Sequence, residues 1–382
     1  MAIRIYKIFT LFLVSYFLQH TALAQLIDPN ATKETLAVYK SVKGLLGKKI
    51  LFGHQDDLAY GVRWKYEKNR SDINDIVNDY PAVFGWDIGG VEFEKPENLD
   101  KVPFEKIISF AKEVYKKGGI NTISWHLANP VSGGSAWDTT KAVVDILPKG
   151  KLHNDYILWL DRVAGFLNRF ETADGTKIPV LFRPFHELNG AWFWWGRPHC
   201  SKDEFITLWR FTVDYLKNKK HLHHLIYVFN TNSFNGEDEF LERYPGNSYA
   251  DMVSFDIYQF APENPTASQL KESKHIYQEK LRNNLQILTS VAKKLDKPSA
   301  LAETGFESVP DPDWWTKTLY PVIKDFPISY VLVWRNHGLN DEGKMHYYAP
   351  YKGQLSAIDF KKFYTLKKMM FLKDLGKQKI YQ

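Results

Sequence analysis

PVLFRPFHE, residues 179–187, is a largely apolar run that ends on a histidine and a glutamate. A run of this kind, with little alternation, marks a strand buried on both faces, as in a parallel sheet. Working outward, three similar runs precede it: KILFGH (49–54), AVFGWD (82–87) and NTISWH (121–126). Four follow it: HLIYVFN (224–230), DMVSFDIY (251–258), SALAET (299–304) and YVLVWRN (330–336).

Amphipathic helices separate these runs. Tyr156, Leu160, Val163, Ala164 and Leu167 fall on one helical face, and Phe205, Leu208, Trp209, Val213 and Leu216 on another. Further helices are predicted near 71–80, 104–117, 269–295, 312–325 and 356–374, with a short one near 237–243 and an extra one at 33–46. Eight strand-then-helix units predict an α/β fold, a (β/α)8 TIM barrel in a single domain. The competing doubly wound sheet usually carries a glycine-rich phosphate turn after its first strand, and FGHQDD (52–57) is not one. The longest loop, roughly 128–153, follows the third strand.

The first 24 residues read as a signal peptide. Arg4 and Lys7 precede an uncharged apolar run from Ile8 to Leu18, and Ala22-Leu23-Ala24 offers small residues for cleavage. The catalytic domain is therefore expected to span 25–382, secreted to the periplasm or the medium. No later apolar stretch of about 20 residues suggests a membrane span. A net charge of +6 is too mild to argue for nucleic acid. A single cysteine, Cys200, excludes a disulfide framework. The chain is expected to act as a monomer without a cofactor or metal. Its 12 Trp, 21 Tyr and 25 Phe are 15% of the residues, which raises the prospect of carbohydrate stacking alongside core packing.

Barrel chemistry sits at the C-terminal ends of the strands. Those ends carry His54, Asp87, Trp125-His126, His186-Glu187, Asn230, Asp256 with Tyr258, Glu303, and Trp334-Arg335. Glu187 and Glu303 follow strands four and seven, which lie on different sides of an eight-stranded barrel. Two carboxylates facing each other across the mouth suit glycoside hydrolysis, with one acid and one nucleophile about 5–5.5 Å apart in a retaining enzyme.

FRPFHELNGAWFWWG (182–196) closely resembles the acid/base motif of glycoside hydrolase family 26, whose best-known members are β-mannanases. LAETG (301–305), SFDIYQF (254–260) and VLVWRN (331–336) are similar to that family's nucleophile, tyrosine and Trp-Arg segments. The resemblance implies Glu187 as acid/base and Glu303 as nucleophile. It implies Tyr258 as the nucleophile's hydrogen-bond partner, and His126 and His186 as contacts to the sugar at the cleaved position. Trp334 would be the platform beneath that sugar, Arg335 a nearby polar contact, and Trp192 a wall on the leaving-group side. Asp256, Asn189, Trp125 and Phe193 are further candidates. The implied enzyme is an endo-acting β-mannanase, its substrate β-1,4-mannan, glucomannan or galactomannan, or manno-oligosaccharides. Xylan, mixed-linkage glucan and a non-catalytic glycan-binding role stay open, as does release of mannobiose from chain ends.

His221, His223 and His224 form a cluster on the face opposite the mouth. Cys200 has no triad pattern beside it. Trp314-Trp315 suit sugar platforms or barrel-to-helix packing equally well.

Overall fold

The computed structural model describes residues 26–339 and 343–382. The expected signal peptide, 1–24, lies outside the described residues. Eight parallel strands form the centre: β1 (Ile50–Gln55), β2 (Val83–Asp87), β3 (Ile120–Trp125), β4 (Val180–Pro184), β5 (Leu225–Asn232), β6 (Met252–Gln259), β7 (Ser299–Phe306) and β8 (Tyr330–Val333). Each pairs with the next, and β8 pairs back onto β1 from Leu51 with Tyr330 to His54 with Val333, so the barrel is closed.

Both faces of every strand are buried, which explains the weak alternation of the sequence. Leu51, Val83, Leu181, Ile226, Val228, Met252, Ala300, Ala302 and Leu332 form an interior cluster. Val38, Tyr39 and Val42 of the helix Lys33–Leu45 pack against it. That helix begins where the Thr32 amide donates to the carbonyl of His223, just ahead of β5, so it covers the N-terminal end of the barrel. The alternate residues, among them Phe52, Phe84, Ile123, Phe182, Phe229, Phe255 and Val331, face the surrounding helices. Full burial of each such side chain is worth about 1.5–3 kcal/mol. The helices Phe104–Lys116, His153–Asn168, Lys202–Asp214 and Ala267–Leu295 match the predicted ones closely. Two start with a capping box, Ser201 with Glu204 and Thr266 with Gln269.

Three predicted helices differ. The first, near 71–80, is only Asp72–Val77, because Asn78 turns left-handed at φ 54°. The stretch 312–325 opens with π-helical turns at Trp314–Leu319 and then runs Tyr320–Ile323. The stretch 356–374 is not one helix. It breaks into Ala357–Tyr364, a two-residue strand Met369–Met370, and Leu372–Gly376. Stagger is the reason: β2 first meets β1 at Gly53, which leaves Ile50 and Leu51 with an open edge that Met369–Met370 fills.

One irregularity shapes the mouth. Along β6 and β7, Phe255 pairs with Leu301 but the next residue, Asp256, pairs with Glu303. The β7–β8 register slips over the same residues. β7 therefore carries an extra residue at Ala302, and such a bulge re-aims the side chain that follows. Without it Glu303 would point to the helices.

Candidate active site

Glu187 sits just past β4 on a backbone that twice enters the left-handed region, at Phe185 (φ 52°) and at Glu187 itself (φ 53°). Non-glycine residues hold such angles only where the surroundings enforce them. Here the Gly190 amide donates to the Glu187 carbonyl at 2.8 Å, and Phe185 is buried among Trp125, Trp195, Phe205 and Trp209. The carboxylate of Glu187 takes two neutral donors: Asn232 Nδ2 to Oε1 at 2.9 Å and Trp192 Nε1 to Oε2 at 2.6 Å.

Glu303 faces it. Its Oε1 accepts from Arg183 Nη2 at 2.5 Å and its Oε2 from the Tyr258 hydroxyl at 2.8 Å. Arg183 also donates to Asp256 at 3.4 Å, and Asn230 donates to the same carboxylate at 2.5 Å. All three acids are buried, and an oxygen from each lies within 4.8 Å of the others. Three oxygens so close suit a cation, and Arg183 is the cation this site has built in. So close an approach fits a nucleophile and an acid that share one sugar.

Electrostatics separate the acids. Burial, then the charge of Glu303, raises Glu187 from 4.5 to about 7, against the hydrogen bonds of Asn232 and Trp192. Burial and the charge of Glu303 push Asp256 well above the carboxylate range despite Arg183.

Beside the acids stands a histidine pair. His126 Nδ1 meets Asp87 Oδ2 at 2.7 Å, and His126 Nε2 meets His186 Nε2 at 3.1 Å. Burial works against charge on His126, but Asp87, with Glu303 and Asp100 beyond it, outweighs burial and raises its pKa. Burial, His126 and Arg183 push His186 far the other way. His126 is therefore the more basic ring of the pair, hydrogen-bonded on one side to Asp87 and on the other to His186. Trp137 stacks on His126 at 5.1 Å, and Trp334 stands edge-on to it at 6.4 Å.

The residues singled out from sequence thus fall around one mouth, with differences of depth. His186 is 1% exposed and meets the site through His126. Arg335 is ion-paired to Asp100 and lies 3.3 Å from His337 Nδ1. Trp192 is both exposed and bonded to Glu187. Asn189 accepts from the Asn232 amide at 2.7 Å and so places Asn232. Trp125 is buried and donates to Glu92, and Phe193 packs on both histidines. Trp314 and Trp315 are packing residues, buried and bonded to Gln259 and Ser356. In the histidine cluster, His223 pairs with Asp28 and His224 with the Leu167 carbonyl. Burial pushes the Cys200 thiol up, which disfavours a nucleophilic thiolate.

Sequence reading passed over four residues. Arg183 is a charge inside an apolar strand, which was itself the signal. Asn232 lies two residues after Asn230, on the same face of β5. Asp87 stood among the polar strand ends without a role, and Trp137 lay in the long third loop.

The family model for Glycosyl hydrolase family 26 matches residues 27–316. A mannan endo-1,4-beta-mannosidase of Bifidobacterium adolescentis is 32% identical over 349 residues, 88% of this chain. The chain spans 34% of that relative's length. A mannan endo-1,4-beta-mannosidase of Bacillus subtilis strain 168 is 29% identical over 251 residues, covering 61% of this chain and 66% of its own. Among solved structures, a GH26 beta-mannanase from Bacteroides ovatus superposes with a TM-score of 0.85 at 42% identity, covering 92% of this chain and 98% of that one. With the barrel, the paired acids just past β4 and on β7, and these relatives in agreement, the chain belongs to glycosyl hydrolase family 26.

Proposed function

We propose that this protein hydrolyses β-1,4-mannosidic bonds in mannan, glucomannan or galactomannan by a retaining double displacement. The observation that carries the reading is the acid pair: Glu187, raised to about 7, within 4.8 Å of a Glu303 held by Arg183 and Tyr258. Glu187 gives its proton to the glycosidic oxygen as that bond breaks, and a Glu303 oxygen bonds to the anomeric carbon. The ester so formed has no charge, so one of the two causes raising Glu187 is gone. Glu187 then takes a proton from water, the water oxygen bonds to the anomeric carbon, and Glu303 leaves as carboxylate. His126 presents its ring beside the same site, and Trp334 and Trp137 offer apolar faces for a pyranose.

The test is hydrolysis of mannan, glucomannan, xylan and lichenan, with the first-formed anomer followed by NMR. Release from mannans with the β-anomer first, and loss of about 10³-fold or more in turnover in Glu187→Ala and Glu303→Ala, is expected. Near-normal activity of either variant, or an α-anomer first, would refute the mechanism. Activity confined to xylan or lichenan would refute the substrate.

Relatives named mannan endo-1,4-beta-mannosidase support endo attack, with release of mannobiose from chain ends as the alternative. The hairpin Tyr60–Gly61/Trp64–Lys65 after β1 and the hairpin Gly338–Leu339/Met345–His346 after β8 meet through His337, 5.8 Å from the Tyr60 ring and 6.4 Å from His346. Loops that closed one end of the cleft there would direct attack to chain ends. Mannobiose as the dominant product from the first minutes supports that alternative; a ladder of longer oligomers refutes it. Read as an export signal, residues 1–24 put the enzyme in the periplasm or the medium, and mature protein beginning at Gln25 is the check.

A further inference from the structure

Phe260 is 80% exposed, more than any other large hydrophobic side chain among the described residues. Single exposed apolar residues are ordinary on a protein surface. The position of this one is not. It is the first residue past β6, at the active mouth, and two residues beyond Tyr258, which bonds Glu303. Its ring lies 6.5 Å from that of Tyr258, and the line of rings continues to Tyr348 at 5.4 Å and His346 at a further 5.2 Å.

The backbone beneath Phe260 is fixed while the ring stays uncovered. The Phe260 carbonyl accepts from Ser273 Oγ at 2.6 Å, on the long helix Ala267–Leu295. Ser273 also accepts from Gln259 Nε2 at 3.0 Å, and Gln259 Oε1 accepts from Trp314 Nε1 at 2.8 Å. With its backbone pinned, only the side-chain rotation of Phe260 remains to be ordered when a ligand lands on it. Next to it opens a cavity of about 380 Å3, whose walls include Phe260, Pro262, Phe306, Glu307, Pro310 and Met345. The half-exposed Glu307 carboxylate, 2.9 Å from His346 Nδ1, offers an acceptor for hydroxyls.

An uncovered aromatic face, a carboxylate beside it and continuity with Tyr258 match the chemistry of a pyranose: apolar C–H face below, hydroxyls at the rim. We propose that Phe260 and the groove it overhangs form a distal subsite for one hexopyranose ring of the β-mannan chain, beyond the units that straddle the cleaved bond. This rests on the mannan-hydrolase reading. The subsite holds long chains and takes no part in bond cleavage.

The experiment compares mannotriose with mannohexaose, in wild type and in Phe260→Ala and Phe260→Tyr, each checked for unchanged thermal unfolding. Phe260→Ala should raise KM for mannohexaose about tenfold and change KM for mannotriose and both kcat values less than about twofold. Phe260→Tyr, which keeps the platform, should behave as wild type. An unchanged KM for mannohexaose, or an equal loss on mannotriose, overturns the subsite while leaving the hydrolase reading intact. A wild type that cleaves neither oligomer overturns both.

Discussion

Replacing Glu303 by Gln should lower the pKa of Glu187, and by how much follows from the geometry. Oxygens of the two groups lie within 4.8 Å. Two unit charges at that distance, in an effective dielectric of about 20, repel by about 3.5 kcal/mol, or about 2.5 pH units. Arg183 and Tyr258 are bound to Glu303 and offset part of its charge, which reduces the effect. Burial is the larger cause of the rise to about 7 and survives the substitution. A fall of about one to two pH units is therefore expected, to a midpoint of about 5 to 6. The assay is a 13C NMR titration of protein labelled at glutamate carboxyls, with Glu187→Gln used to assign the signal. Because Glu303→Gln removes the charge without a sugar attached, it imitates the electrostatics of the glycosylated enzyme. A midpoint still near 7 would mean that burial alone raises Glu187. The conversion of acid into base by loss of the nucleophile's charge would then be wrong.

Three further outcomes follow from the same contacts. Tyr258→Phe deletes a hydrogen bond to a charged oxygen, worth about 1.5–3 kcal/mol, so kcat for mannan should fall about 10- to 150-fold with KM little changed. Asn232→Ala removes a donor that holds Glu187 down, so the alkaline limb of the kcat/KM profile should move above 7 and the maximal rate should drop. Glu187→Gln should stabilise the fold in alkali: folded Glu187 titrates near 7 against 4.5 when free, so protonation favours the native state, an effect fully present below pH 4.5 and lost as pH rises through 7. At pH 8 the Gln variant should gain up to about 3 kcal/mol over wild type, at pH 4 nearly none, as read by thermal unfolding.

The barrel was legible because each strand is buried on both faces and each helix on one, so unbroken apolar runs mark the strands and a 3.6-residue period marks the helices. What escaped reading depends on contacts distant in sequence. Nothing near residue 365 indicates that Ile50 and Leu51 have one open edge, so the strand Met369–Met370 looked like helix. The site divides the same way. Glu187, Glu303, Tyr258 and His126 end apolar runs and stood out. Arg183 lies inside its run, and its role appears only when β4 and β7, 120 residues apart, bring guanidinium and carboxylate together. The bulge at Ala302 is likewise invisible in SALAET, whose composition suits a regular strand as well.

The placement of charge also bears on which glutamate does what, independently of any motif. Glu303 takes one cationic donor, Arg183, and one phenol; Glu187 takes an indole and an amide, both neutral. Asp256 competes for the same guanidinium at a longer distance, 3.4 Å, and is pushed well above the carboxylate range. One arginine among three buried acids can neutralise one of them, and the shortest contact gives that charge to Glu303. Glu187, with no cation of its own, is raised to about 7 and so has a proton to give near neutrality. Nucleophile and acid are thus assigned by where β4 places one guanidinium. Exchanging the roles of the two glutamates would require moving Arg183, not merely altering either glutamate's neighbours.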